Sequence, residues 1–170
     1  MPIAQLTNIG GADAEGVSSG PQVQDVANVT TTAIPFGSLV AVTTPFTSTS
    51  TVFGVGAATS VATTAPLNIG IAIGGGPNTG PGSTIAAAPA AGALGGTGQA
   101  VIHGHTRALV DATVSPTVVG HRLVIGGTTA GCLSDAGTTT AAAGLNYGVV
   151  LEAVTISGTS ALVNIWFEKS

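Results

Sequence analysis

Charged side chains are scarce in this sequence, and cations are the scarcest. Only 6% of the 170 residues are charged, with three Lys and Arg against seven Asp and Glu, whereas charged residues make up about a quarter of a typical protein. Three cations cannot form the basic surface that binds nucleic acid, so we expect no nucleic-acid partner. The exposed surface must consist mainly of Thr, Ser, Asn, Gly and Ala. A subunit packed against other subunits fits that composition better than a freely diffusing enzyme does.

Long apolar runs, a signal peptide and paired cysteines are also missing. No uninterrupted apolar run approaches the roughly 18 residues of a membrane-spanning helix. The N-terminal sequence MPIAQLTNIGGADAEG has neither a cationic start nor an apolar core, so it does not indicate secretion. The single cysteine, Cys132, cannot form an intramolecular disulfide. These features predict a protein that is made in a cytoplasm and has no membrane partner.

Short clusters of Val, Ile and Leu are what the sequence does contain. Hydrophobic residues make up 44% of the chain, which is enough for a core, and no long amphipathic helical pattern is visible. Turn signals recur about every 8 to 12 residues and predict about eight to ten short strands. We interpret this pattern as an all-β fold, a small antiparallel β-barrel or β-sandwich. The clearest strands are predicted at residues 38–43, 68–74, 148–155 and 160–167.

The chain is predicted to consist of an arm and one domain. Residues 1–34 are interpreted as an extended N-terminal arm followed by the first strand, because the beginning of the chain is polar, rich in glycine and carries Asp13 and Glu15. Residues 35–170 are interpreted as the β-barrel domain. Within that domain, residues 75–98 are a low-complexity sequence of Gly, Ala and Pro, which predicts a long loop insertion.

All three histidines lie in residues 99–126, which we interpret as two strands and part of a third. On a strand, His103 and His105 point the same way, about 6.5 to 7 Å apart, and His121 follows on a neighbouring strand, so the three rings are a candidate metal site. The pattern resembles the His-x-His of the cupin enzymes, but no Glu follows at the cupin spacing and Asp111 comes late. We therefore predict no metal site and keep a cupin-like metal-dependent enzyme as an alternative.

No other group in the sequence indicates catalysis. A G-x-S-x-G elbow and a Walker-type phosphate loop are both missing. Asp111 and Glu152 are the only acidic residues in strong strand segments, and we expect each of them to pair with Arg107 or Arg122, or to cap a turn, rather than to act as a glycosidase pair. Cys132 is interpreted as a small residue at the start of a strand. The sequence thus predicts no catalytic residue, no cofactor and no enzymatic activity.

Three pieces of the chain follow one another in a characteristic order: PLNIGIAIGG, then GQAVIHGHTRALVDATVSPTVVGHRLVIGGTTAGCL, then NYGVVLEAVTISGTSALVNIWF. This order resembles the capsid decoration, or cement, proteins of tailed bacteriophages, over about residues 66–167. The motifs that carry the resemblance are short and built on glycine and apolar residues; they lie at residues 70–72, 108–111, 120–123, 148–153 and 162–167.

The resemblance implies a β-rich fold of the β-tulip type and a homotrimer on the outer surface of the phage head. Such proteins bind the major capsid protein where capsomers meet and stabilise the shell, and no catalytic residue is implied. The expectation is thus a structural virion protein, made in the host cytoplasm, whose exposed edge strands act as docking edges. A tail or head-fibre component is an alternative, and the missing signal peptide argues against a secreted adhesion or surface-layer subunit.

Overall fold

The structure is a computed structural model, and it describes residues 20–44, 52–58, 68–75, 82–126, 129–138 and 146–169. Within those residues the chain is all-β, as predicted, and contains no helix. Nine strands form one sheet. They are β1 (Gln22–Asn28), β2 (Leu39–Thr44), β3 (Phe53–Ala57), β4 (Asn68–Gly75), β5 (Thr97–Asp111), β6 (Leu123–Ile125), β7 (Leu133–Asp135), β8 (Gly148–Val150) and β9 (Ser160–Phe167).

The long strand β5 organises the sheet. It runs without interruption for 15 residues. Together with β6 it gives two strands in residues 99–126, where two strands and part of a third were predicted. No proline interrupts β5, and at Gly104, which has a φ of 110°, the pairing passes from β1 and β4 to β9. The first half of β5 pairs with β1 and β4. The second half pairs with β9 and, at Val110, with β7.

The strand pairings close into two circuits that share β5. In the first circuit β1 pairs with β3, β3 with β2 and β2 with β4, while β4 and β1 both pair with β5. In the second circuit β9 and β7 flank β5, β8 pairs with β9, and β6 pairs with β7. A bridge between Arg122 and Val149 joins the β6 and β8 ends. Among the described strands, none has a wholly unpaired edge, although residues 22–25 of β1 have no partner on the side of β3.

The sheet is mixed, which corrects the expected antiparallel arrangement. β1 runs parallel to β3, and β5 runs parallel to β7. In both cases the two strands are not joined by a direct hairpin; other strands come between them along the chain, so the second strand can return in the direction of the first. The sequence pattern identifies strands by their alternation and contains no signal for the order in which they pair.

Two apolar clusters fill the molecule, and β2 and β4 lie between them. Neighbouring residues of a strand point to opposite faces, so Leu39 and Ile71 enter the larger cluster while Val40 and Ala72 enter the smaller one. A Cβ on Gly70 would lie 2.5 Å from the carbonyl oxygen of Val101. Backbone therefore approaches this strand closely, and both faces of β4 are covered.

Part of the predicted loop insertion belongs to the core. Residues 97 and 98 are already in β5, and Ile85 is completely buried in the smaller cluster. Ile85 and Ile34 exchange two main-chain hydrogen bonds of 2.9 Å, and the N–H of Ala88 donates to the oxygen of Thr30 at 2.8 Å. The first strand of the predicted arm segment is also present as β1. The predicted arm before Gly20 lies outside the described residues.

The C-terminal strands pair as predicted, but one of them is short. β9 has the predicted bounds, and its residues Val163, Ile165 and Phe167 face the core. β8 ends at Val150 although a strand was predicted to residue 155. Beyond it the hydroxyl of Thr117 replaces a main-chain partner, donating to the oxygen of Glu152 at 3.0 Å and accepting from the N–H of Val154 at 2.9 Å. Because side-chain bonds replace strand pairing here, the apolar alternation of the sequence overestimated the length of β8.

Candidate functional site

Polar side chains of β5 lie along the outer surface of the sheet. His105 and Arg107 are exposed, and the register places them opposite Trp166 and Asn164 of β9. Side chains directly opposite each other on paired strands share a face. The ring of His103 contacts the ring of Trp166, so it lies on that face too. The structure therefore confirms that His103 and His105 point the same way.

His103 and Trp166 form an edge-to-face pair. Their ring centroids are 5.5 Å apart and the ring planes meet at 84°, the geometry that aromatic quadrupoles favour. The Nδ1 atom of His103 is buried and makes no hydrogen bond in the described part of the chain. The imidazole is thus held as a packing group against the indole, and this contact fixes the orientation of Trp166.

His121 belongs to a different environment. Its Nδ1 lies 2.8 Å from Oδ1 of Asp135, whose side chain is fully buried. The same carboxylate accepts from the N–H of Gly137 at 2.9 Å and, through Oδ2, from the N–H of Val118 at 3.1 Å. In the tautomer that carries its proton on Nδ1, His121 donates this bond to the carboxylate. Asp135 thereby joins two segments of chain, residues 118–121 and residues 135–137.

The three histidines do not assemble into a metal site. Over the ranges that the structure describes, no group of three or more His, Cys, Asp or Glu side chains could hold a metal ion. His103 packs on Trp166 and His121 is bonded to Asp135. The candidate cluster of His103, His105 and His121, on which the cupin-like alternative depends, is therefore not formed.

Glu152 binds a main-chain group at the edge of β9. Its Oε1 accepts the N–H of Asn164 at 2.8 Å, where a continued β8 would have supplied a carbonyl oxygen. Hydrogen bonds from Asn164 lower the pKa of this carboxyl, and the nearby charges of Arg107 and His105 lower it further. Arg107 also reaches the edge, with Nη2 3.5 Å from the oxygen of Leu162. The charge of Arg107 acts on Glu152, but the two side chains form no salt bridge in the described part of the chain.

Asp111 caps a turn and does not pair with an arginine. Its side chain is fully buried, accepts the hydroxyl of Ser134 through Oδ2, and accepts the N–H of Thr113 through Oδ1 at 3.0 Å. Cys132 lies nearby and is also buried; burial raises the pKa of its thiol, and the charge of Asp111 adds to that rise, while a hydrogen bond with Ser160 opposes it. A thiol with a raised pKa is a poor nucleophile, so Cys132 is not activated for nucleophilic attack.

A third polar cluster, around Tyr147, was not predicted from the sequence. The Nδ2 of Asn68 donates to the buried Tyr147 hydroxyl at 2.8 Å, and Lys169 Nζ donates to the main-chain oxygen of Asn68 at 3.1 Å. Burial raises the pKa of Tyr147, and burial lowers the pKa of Lys169. Tyr147 also stacks on Phe167, with centroids 6.4 Å apart. Because Asn68 and Tyr147 are 79 residues apart in the sequence, no local pattern predicts their contact.

A comparison of this chain with known protein families, with curated proteins and with solved structures found no match. None of the described residues belongs to a helix long and apolar enough to cross a membrane. The polar side chains of the described residues fall into a few groups. They form structural clusters around Asp111, Asp135 and Tyr147, and one exposed face around Trp166.

Proposed function

We propose that this chain is a structural virion protein: a capsid decoration, or cement, protein that binds the outer surface of a phage head where capsomers meet and stabilises the shell. Its proposed partners are the major capsid protein and further copies of itself, in a homotrimer. In this proposal the two pairing circuits around β5 form the walls of a small barrel or sandwich of the β-tulip type. The resemblance of residues 66–167 to such proteins supports the proposal.

The observation that carries the proposal is the structural use of the acidic side chains. Asp111, Asp135 and Glu152 each accept at least one main-chain N–H, so they hold turns and a strand edge in place. The chain has only seven acidic and three basic residues, so little charge is left on the exposed surface. Charged residues are depleted in the cores of protein interfaces, and a weakly charged surface loses little solvation when another subunit covers it.

The loops around β6 and β8 are fixed before any partner binds. The hydroxyl of Ser115 accepts the N–H of Ile156 at 2.9 Å, and the hydroxyl of Thr117 bonds twice to residues 152–154. A surface that is already ordered loses little conformational entropy on binding. Weak contacts between each copy and the shell add up when many copies sit side by side on one lattice. A cement protein stabilises a shell in this way.

The proposed arm is shorter than the sequence indicated. Residues 22–28 form β1 within the sheet, and Ile34 is tied to Ile85 by two main-chain hydrogen bonds. Residues 20–34 are therefore committed to the sheet. In this proposal the segment that reaches a neighbouring capsid subunit consists of residues 1–19, which lie outside the described residues.

The test is a sedimentation experiment with the heads and, separately, the tails of the phage whose genome encodes the chain. Light scattering first gives the mass of the purified protein, for which we expect three copies. The protein should then pellet with expanded heads and leave the tails unlabelled, and removal of residues 1–19 should weaken the pelleting. Protein that stays in the supernatant with heads would overturn the proposal, and selective pelleting with tails would favour the tail or fibre alternative.

A further inference from the structure

The only lysine of the chain reaches a buried asparagine. Lys169 is the single Lys of the sequence, and it follows the last strand, β9. Its Nζ atom lies 3.1 Å from the main-chain oxygen of Asn68, the first residue of β4. The side-chain carbon Cγ of Asn68 is only a few bonds from that oxygen, and the amino group of a lysine is carried on a flexible stem. A primary amine is therefore held within reach of a carboxamide.

The carboxamide of Asn68 is held at one end and lacks a partner at the other. Its Nδ2 donates to the hydroxyl of Tyr147 at 2.8 Å. Its Oδ1 is buried and accepts no hydrogen bond in the described part of the chain. Buried polar atoms nearly always have a partner, and an exception calls for an explanation such as a reactive role. The carboxamide is thus fixed in place, with an oxygen that no described donor engages.

The surroundings favour the nucleophilic form of the amine. Lys169 as a whole is exposed, and partial burial of its amino group lowers its pKa, because burial disfavours the charged form. A larger fraction of the side chain then carries the electron pair that attacks a carbonyl carbon. Burial also raises the pKa of Tyr147, so its hydroxyl keeps its proton and can donate it to a leaving group.

We propose that Lys169 and Asn68 react to form an intramolecular isopeptide bond between Nζ and Cγ. The neutral amine adds to Cγ, and negative charge develops on Oδ1 as the Cγ–Nζ bond forms. The hydroxyl of Tyr147, which contacts Nδ2, gives that nitrogen a proton; the Cγ–Nδ2 bond then breaks and ammonia leaves. The proton that Nζ loses returns to the Tyr147 oxygen. One C–N and one N–H bond replace another of each, so the reaction needs no oxidant and no cofactor.

The bond ties the end of the chain to the start of β4. Lys169 and Asn68 are 101 residues apart in the sequence, so the crosslink closes a long loop. Closing a loop lowers the entropy of the unfolded chain and thereby stabilises the folded state. With a single Cys, the chain has no intramolecular disulfide to do this. The inference does not depend on the proposed function, because the reaction takes place within one chain.

Mass spectrometry of the intact, denatured protein is the first test. We expect a mass about 17 Da below the mass calculated from the sequence, which corresponds to the ammonia released. The unchanged full-length protein is used, so this measurement does not depend on whether a variant folds. A protein at its full calculated mass would overturn the inference.

Tryptic digestion then locates the bond. Trypsin cuts after Arg107 and Arg122, which separates the part of the chain that contains Asn68 from the part that contains Lys169. It does not cut after a lysine whose amino group is acylated. We expect one species in which residues 1–107 and 123–170 are joined. Separate fragments that contain Asn68 and Lys169 would overturn the inference.

Two variants separate the crosslink from other losses of ammonia. Lys169→Arg keeps a cation and its hydrogen-bond donors, but its guanidinium stays protonated and cannot attack, so this variant should have its full calculated mass. A deficit that persists in Lys169→Arg would overturn the inference, because an asparagine that cyclises on its own main chain also releases ammonia. Tyr147→Phe removes the proton donor and should leave a larger fraction at the uncrosslinked mass. Complete crosslinking in Tyr147→Phe would overturn the role of that hydroxyl.

Discussion

Asp135 holds His121 through a bond of 2.8 Å between Oδ1 and Nδ1, although the two residues lie on different segments of chain. The same carboxylate accepts the N–H groups of Val118 and Gly137. One buried side chain therefore fixes the turn before β6 and the turn after β7. The link explains how a chain with very few charges can order a loop that carries two exposed valines, Val118 and Val119.

Replacing Asp135 with Ala should lower the free energy of unfolding by about 2–4 kcal/mol, because several bonds to a buried charge are lost and two N–H groups are left without an acceptor. Urea unfolding followed by circular dichroism measures the change. Asp25→Ala is the matched control: Asp25 is exposed, and its loss should change stability by less than about 0.5 kcal/mol. Equal effects of the two substitutions would show that Asp135 does not organise this region.

Ile85→Ala should destabilise the protein by about 2–4 kcal/mol, the usual loss when a buried Ile is truncated and leaves a cavity. Ile85 is completely buried although it comes from a sequence that looks like a loose Gly/Ala/Pro-rich insertion. Leu94→Ala is the control from the same segment, because Leu94 is 73% exposed and should contribute less than about 0.5 kcal/mol. Denaturant midpoints that fall equally little for both variants would mean that residues 82–96 do not form part of the core.

Local alternation in the sequence predicted the all-β class and several strands. β9 is the clearest case, since Val163, Ile165 and Phe167 repeat every second residue and all three are buried. The same reasoning failed in the predicted loop insertion of residues 75–98, where Ile85 is completely buried in the core. It also failed after β8, where the hydroxyls of Ser115 and Thr117 replace main-chain partners. Hydroxyl groups that bind main-chain groups in place of a neighbouring strand are not marked by any apolar alternation in the sequence.

The side-chain clusters were less predictable because they depend on contacts between distant segments. Among seven acidic residues, nothing in the sequence distinguishes Asp135 as the partner of His121. The choice follows from the register of β6 on β7, which pairs Leu123 with Asp135. The alternation of His103 and His105 was predictable from two neighbouring positions. The contact of His103 with Trp166 was not, since 63 residues separate the two in the sequence, and only the pairing of β5 with β9 brings them together.

Gly70→Ala should cost about 2 kcal/mol or more, because the new Cβ would lie 2.5 Å from the carbonyl oxygen of Val101 and two paired strands would have to separate. Thermal unfolding gives the readout. Gly158→Ala is the control, since nothing lies within 4 Å of a Cβ at that position, and it should be neutral or slightly stabilising. A Gly70 variant as stable as the Gly158 variant would contradict the close contact between β4 and β5.

Glu152 makes a contribution to the stability of the folded protein that depends on pH. The hydrogen bond from Asn164 lowers the pKa of this carboxyl below its ordinary value of 4.5, so the folded state binds the proton less tightly than the unfolded chain does. The stabilisation is therefore fully present above about pH 4.5 and is lost as the pH falls through the lower pKa of the folded state. Glu152→Gln keeps an oxygen acceptor for Asn164 but cannot ionise.

The measurement is the fall in the urea midpoint between pH 7 and pH 3. We expect that fall to be smaller in Glu152→Gln than in the unchanged protein, because the variant has no charge to lose at this position. Glu168→Gln removes an exposed acidic side chain and should leave the fall as it is. The carboxyl groups that all three proteins share contribute equally to each of them and cancel in the comparison. Identical falls in the three proteins would show that the bond between Glu152 and Asn164 does not stabilise the edge of β9.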